Sequence, residues 1–157
     1  MPLEIERKFL VTSDAWRSAV DSRELLRQGY LSSDSACSIR VRLAGEHAWL
    51  NLKAKRSGMT RLEFEYAIPH AEADQILNEL WKGPLLEKYR HRIVMGELVW
   101  EVDEFLGDNA GLIVAEIELP SESTEFRRPA WLGQEVTDDE RYYNFNLAQK
   151  AFREWQR

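Results

Sequence analysis

The sequence predicts a mainly β (α+β) fold. The expected form is an eight-stranded antiparallel closed β-barrel, a tunnel with a charged interior, covered outside by peripheral helices. Three observations predict it. Eight stretches alternate charged or polar with apolar residues, the period of a strand, and most are joined by short turns. Glu, Lys and Asp are poor strand formers, yet they fill nearly every same-parity slot on seven of these stretches. The signs are also sorted by strand, some basic and some acidic, which a plain solvated face does not require.

The first strand is read from Pro2 to Leu10. Glu4, Glu6 and Lys8 share one face, Leu3, Ile5 and Phe9 the other, and Arg7 breaks the apolar side. Carboxylates about 6–7 Å apart along a strand repel unless a cation lies between them. Thr12-Ser13-Asp14 caps a short helix over 15–20 that turns Trp16, Ala19 and Val20 inward. The second strand runs Leu26 to Ser32, with Gln28, Tyr30 and Ser32 on one parity, and turns at Ser33-Asp34-Ser35. The third, Ser38 to Leu43, sets Arg40 and Arg42 opposite Ile39, Val41 and Leu43. After Gly45-Glu46, Ala48 to Lys55 sets Asn51, Lys53 and Lys55 opposite Leu50, Leu52 and Ala54. Ser57-Gly58 turns into Thr60 to Ile68, with Arg61, Glu63 and Glu65 opposite Leu62, Phe64 and Tyr66.

Pro69 ends that strand, and Ile76, Leu77, Leu80 and Trp81 recur at helical spacing over Ala71 to Lys82, before Gly83-Pro84. The sixth strand, Leu86 to Met95, carries Lys88, Arg90 and Arg92 opposite Tyr89, His91 and Ile93. The seventh, Leu98 to Phe105, carries Glu101, Asp103 and Phe105 opposite Trp100, Val102 and Glu104. Gly107-Asp108-Asn109 is read as a loop. The eighth strand, Leu112 to Leu119, sets Val114, Glu116 and Glu118 opposite Ile113, Ala115 and Ile117. Beyond Pro120 the reading gives a short helix starting in 121–126, an irregular stretch over 129–137 and a charged loop over 138–144. A last amphipathic helix follows, with Leu147, Ala148, Ala151, Phe152 and Trp155 on one side. The three helices supply apolar stripes for the apolar strand faces, which leaves the charged faces to line the tunnel.

The bulk composition narrows the function. A chain of 157 residues is read as one domain, 1–157, with a sizeable core. A net charge of −6 argues against non-specific nucleic-acid binding. Cys37 is the single cysteine, read as a small buried residue; with no internal disulfide, a reducing compartment follows. The start has no apolar signal region, and no apolar run is long enough for a membrane span. The expectation is a cytoplasmic protein with no nucleic-acid or membrane partner. His91, on the apolar parity, is read as a wall histidine, and the six tryptophans as outer-layer packing.

Carboxylates clustered without Cys or His partners suit hard cations such as Mg²⁺ or Mn²⁺, and clustered Arg and Lys suit phosphate oxygens. A site with both holds a metal–polyphosphate and stabilises charge in phosphoryl transfer. No Walker-type or dinucleotide-type glycine loop is present, nor an H-E-x-x-H zinc motif.

E-I-E-R-K at residues 4–8 resembles the E-x-E-x-K signature of the CYTH superfamily, the triphosphate tunnel metalloenzymes. R-V-R at 40–42, L-K at 52–53, E-F-E at 63–65, E-K-Y-R at 87–90, E-V-D at 101–103, E-I-E at 116–118, W-L-G-Q-E-V-T from 131 and R-Y at 141–142 extend the likeness over nearly the whole chain. The short length resembles compact bacterial members known mainly as inorganic triphosphatases. The resemblance implies Mg²⁺- or Mn²⁺-dependent hydrolysis of tripolyphosphate to pyrophosphate and phosphate by metal-assisted attack of water. One metal would bridge phosphate oxygens, and a second, if present, would activate the water. Carried over, the metal set is Glu4, Glu6, Glu63, Glu65, Asp103, Glu116 and Glu118. The phosphate set is Lys8, Arg40, Arg42, Lys53, Lys88, Arg90 and Arg141, and Glu4, Glu6, Lys8 and Tyr30 are the catalytic candidates. Lys55, Arg61 and Arg92 have tunnel parity near strand ends and stand between phosphate contacts and rim charges. Where many relatives read D-K-R-Y-K-N, this chain reads D-E-R-Y-Y-N, so Glu140 and Tyr143 replace two lysines and leave Arg141. The alternatives are an organic triphosphate (a thiamine triphosphatase or a class IV-type adenylate cyclase) or a non-catalytic polyphosphate-binding module. The expected partner is a triphosphate-containing small molecule, bound by a monomer or homodimer.

Overall fold

The computed structural model describes residues 3–31, 37–54, 58–81, 83 and 85–155, and for Phe145, Ala148 and Gln149 the backbone alone. Its strands are β1 Leu3–Val11, β2 Ser22–Tyr30, β3 Cys37–Ala44, β4 His47–Ala54, β5 Thr60–Ala67, β6 Leu86–Met95, β7 Leu98–Phe105, β8 Ile113–Glu118 and β9 Leu132–Glu135. The hydrogen-bonded order is β5-β4-β3-β2-β6-β7-β8-β1-β9, and a further β5–β1 pairing closes the first eight strands into an antiparallel barrel. Closure uses the first part of β1, where Leu3, Glu4 and Ile5 face Leu62, Arg61 and Thr60. Further along, the same edge of β1 takes β9, with Phe9 opposite Glu135 and Val11 opposite Leu132 across a register shift.

Side-chain parity decides what each surface carries. Phe9, Ile93, Trp100, Val102, Ala115 and Ile117 point outward into a buried cluster. Trp16 and Trp131 cover it, the first from a 3-10 helix over Asp14–Ala19 that Ser13 caps through Ala15 N. On the other side α1, His70–Glu79, lays Ala73 and Leu77 on Val41, Leu43 and Ala48. Gly29 of β2 allows this approach: a Cβ there would lie 2.8 Å from Leu77 Cδ2 and 2.9 Å from Trp81 Cδ1. His91 also faces out, with its ring 4.8 Å from that of Trp16 and Nε2 3.1 Å from Glu104.

A third cluster departs from the all-charged interior. Leu86, Phe105 and Val114 share parity with Lys88, Asp103 and Glu116, and with Leu112 they bury against Leu147 of α2, Asn144–Gln149. Apolar side chains therefore fill the interior at the end nearest the C-terminal segment.

Several expected elements change. β2 begins at Ser22 rather than Leu26, and α1 ends at Glu79 rather than Lys82. No helix forms over 121–126, and the irregular 129–137 contains β9. Gly107–Asn109 and Glu140–Tyr142 are 3-10 turns. The single last helix is instead α2 and a separate 3-10 turn at Phe152–Glu154, because Lys150 is extended and Phe152 N donates to Asn109 Oδ1 at 2.8 Å. Cys37 is exposed, not buried. Pro2, Ser32, the turn at Ser33–Ser35, Lys55, Ser57, Lys82, Pro84 and the side chain of Ala148 lie outside the described residues. No helix among the described residues is long and apolar enough to cross a membrane.

Candidate functional site in the barrel interior

The inner face places Lys8 of β1 opposite Glu116 of β8, and Glu6 opposite Glu118. Across β7 and β6, Asp103 faces Arg90. On the far wall Arg40 of β3 faces Asn51 of β4, and Lys53 faces Glu63 of β5. Alternation along each strand thus turns short local patterns into one inward-facing array.

The array is buried. Lys88 is 1% exposed, Lys8 3%, Asp103 and Asn51 0%. Buried charges require partners, because removing an ion from water costs several kcal/mol. The partners are present. Lys88 Nζ lies 2.7 Å from Asp103 Oδ2, and Arg90 grips both oxygens of Asp103 at 2.9 Å each. Lys8 Nζ lies 3.2 Å from Glu116. Glu4 receives Lys53 at 3.2 Å and Arg61 at 3.0 Å. Asn51 accepts from Arg40 Nε at 3.3 Å and donates to Glu65 at 2.8 Å and Glu63 at 3.3 Å. Arg42 lies 3.6 Å from Glu65. Tyr30 is buried on the same face, in register with Arg40.

The titrating groups record the crowding. Burial, then Glu116 and Glu4, pushes the Glu6 carboxyl up to about 7. Burial and a hydrogen bond to Glu4 push Glu63 up to about 7. Burial acts against ionisation of Glu4 too, but Lys53, Glu63 and Arg61 outweigh it and hold that carboxyl well below the usual range. Asp103 is likewise held low: burial is outweighed by Arg90 and Lys88. Burial also opposes ionisation of Glu116, yet Lys8 and Arg90 bring it down to about 2. Glu118 is raised by burial, Glu4 and Glu101. Among the bases, burial lowers Lys88 to about 8, and burial with Arg40 and Arg90 lowers Arg42 to about 10.

Of the residues expected from sequence, Glu4, Glu6, Lys8, Tyr30, Arg40, Arg42, Lys53, Glu63, Glu65, Lys88, Arg90, Asp103, Glu116 and Glu118 all lie on this inner face, Glu65 and Glu118 being its exposed members. Arg61 joins through Glu4, while Arg92 sits at a rim between Glu24 and Glu101. Arg141 does not join: its side chain is 62% exposed and its guanidinium is tied to Asp139. Positions 142–144 contribute instead, since Lys8 Nζ donates to the Tyr142 carbonyl and Lys88 Nζ to Asn144 Oδ1, each at 3.3 Å. Asn51 and Glu101 complete the array; both carry the inward parity, but sequence reading gave neither a role.

The donor set fits a hard divalent cation. Burial first, and neighbouring carboxylates second, raise the Glu6 and Glu118 carboxyls, so a cation beside them would favour their charged forms. Among the described residues no three acidic, His or Cys side chains already form a metal-binding group, and Glu4, Asp103 and Glu116 are held in ion pairs. A cation entering here competes with those pairs.

A closed antiparallel barrel whose inner wall sets bases beside carboxylates defines the class, a barrel with a charged interior. The match to known proteins is specific: the CYTH domain model covers residues 2–152, and the chain belongs to that family. It is 46% identical over 153 residues to an inorganic triphosphatase of Acetivibrio thermocellus, covering 98% of this chain and 97% of the relative. It is 37% identical to an inorganic triphosphatase of Nitrosomonas europaea, covering 92% and 96%. The crystal structure of an inorganic triphosphatase superposes with a TM-score of 0.65 at 33% identity, over 92% of this chain and 97% of that one. A Pyrococcus horikoshii protein, 18% identical over 76% of this chain and 79% of that one, shares the fold at a TM-score of 0.61.

Proposed function

We propose that this protein hydrolyses inorganic tripolyphosphate to pyrophosphate and phosphate inside the barrel. The observation that carries the reading is the basic wall of buried Lys8, Arg40, Lys53, Lys88 and Arg90 and half-buried Arg42 next to the acidic one. The two inorganic triphosphatases matched over nearly the full chain support it. Polyphosphate oxygens take the basic wall, where Arg offers bidentate contacts and Lys point charges. Water attacks the terminal phosphorus, the bond to its bridging oxygen breaks, and pyrophosphate leaves with the electron pair. Lys8, Arg40 and Lys88 stabilise the charge that builds on these oxygens. Tyr30 lies on the same inner face, and the proton released by the attacking water passes to solvent.

Glu4, Glu6, Glu116 and Glu118, with Asp103, Glu63 and Glu65 around them, would hold Mg²⁺ or Mn²⁺. Once bound, the cation supplies Lewis-acid neutralisation of phosphate charge. The test is phosphate release from tripolyphosphate, ATP and thiamine triphosphate, each with Mg²⁺ and with Mn²⁺. The reading predicts the highest kcat/KM on tripolyphosphate. A preference for ATP or thiamine triphosphate overturns the inorganic assignment.

A further inference from the structure

Gln28 sits on the inner face between the basic wall and Leu86, and its side-chain amide has no hydrogen-bond partner among the described residues. It is 0% exposed, on the inward parity of β2 with Tyr30. Its backbone faces Arg42 on β3 and Leu86 on β6. Arg40 and Lys88 are the next inward residues on those two strands, within diagonal reach of a long side chain. Among the described residues, both amide atoms, Nε2 and Oε1, lack a hydrogen-bond partner, and so does the buried Nε of Arg42 opposite.

A buried amide left unpaired is destabilising, because its lost hydration is not replaced. At a site that only had to be filled, an apolar residue would be more stable. The neighbours supply a reason for the amide. Arg42 lies directly opposite on β3, and Arg40 and Lys88 lie on the diagonals. A further cation between them would add repulsion. A neutral N–H donor adds a phosphate contact without adding charge.

We propose that Gln28 is a substrate-binding residue whose Nε2–H donates to a phosphoryl oxygen of tripolyphosphate, beside Arg42, at the boundary between the charged interior and the apolar plug at Leu86. This rests on the triphosphatase reading above.

The test measures tripolyphosphate hydrolysis with Mg²⁺ for the wild type, Gln28→Leu, Gln28→Met and Gln28→Glu. Melting temperatures are taken with and without tripolyphosphate. One hydrogen bond to a charged oxygen corresponds to about tenfold to hundredfold. Gln28→Leu and Gln28→Met are expected to lose that factor in kcat/KM, mainly through KM, and to show a smaller ligand-induced rise in melting temperature. Without ligand they melt at or above the wild-type temperature, because the unpaired amide is gone. Gln28→Glu, which turns a carboxylate toward the anion, loses more. Unchanged kcat/KM in both apolar variants beside an active wild type overturns the Gln28 role alone. Failure of both to fold also overturns it, since the amide is then structural. A wild type inactive on tripolyphosphate removes the triphosphatase reading and the Gln28 role together.

Discussion

Asp103 joins two buried bases inside the barrel. It is fully buried and bonds Arg90 through both oxygens and Lys88 through one. Removing its charge leaves two buried cations without their main partner, a change that typically costs 3–5 kcal/mol. Asp103→Asn should therefore lower unfolding free energy by about 3 kcal/mol in denaturant titrations near neutral pH. The pH dependence follows from sign. The folded carboxyl is held well below its unfolded value, so its contribution is present above about pH 4 and is lost as pH falls. The wild type should lose more stability between neutral pH and pH 3 than Asp103→Asn. Equal acid slopes would show that this pair does not carry the low-pH stability. The inward position of Asp103 was legible because Glu101 and Asp103 alternate with Trp100 and Val102. Its double partnership with Arg90 and Lys88 was not, since it depends on which strand neighbours which. Arg141 shows the converse: a local motif singled it out, and its neighbour Asp139 holds it at the surface.

At the scale of elements, alternation with a period of two identified eight strands because their two faces differ so strongly in chemistry. β9 escaped because it is four residues long and exists by pairing with the part of β1 that lies beyond β5. The C-terminal segment escaped for another reason. Helical spacing of Leu147, Ala151 and Trp155 is a local signal, and the Phe152–Asn109 hydrogen bond overrides it from a distant loop. The contact of α1 with the barrel is a sharper test of packing. Gly29→Ala would drive a methyl into Leu77 and Trp81, and should destabilise the protein by roughly 1–2 kcal/mol, seen as a lower thermal midpoint. No change in midpoint would mean that α1 rides further from β2 than the structure shows.

For the whole molecule, the inverted layering is the determining feature. Apolar strand faces are covered from outside by Trp16, Trp131 and α1, so the interior is free to carry charge. Sorting of charge by strand made that interior legible from sequence. The apolar plug was not legible, because Phe105 and Val114 carry the same parity as the charged residues and only α2 shows what they meet. We propose that this interior performs metal-dependent hydrolysis of tripolyphosphate. The most direct measurement is phosphate release from tripolyphosphate by the wild type with Mg²⁺, with EDTA, and by Glu4→Gln with Mg²⁺. The prediction is rapid release that EDTA abolishes and that Glu4→Gln, which weakens the carboxylate set, reduces by about a hundredfold or more. Release that persists in EDTA and in Glu4→Gln, or no release with Mg²⁺, would contradict it.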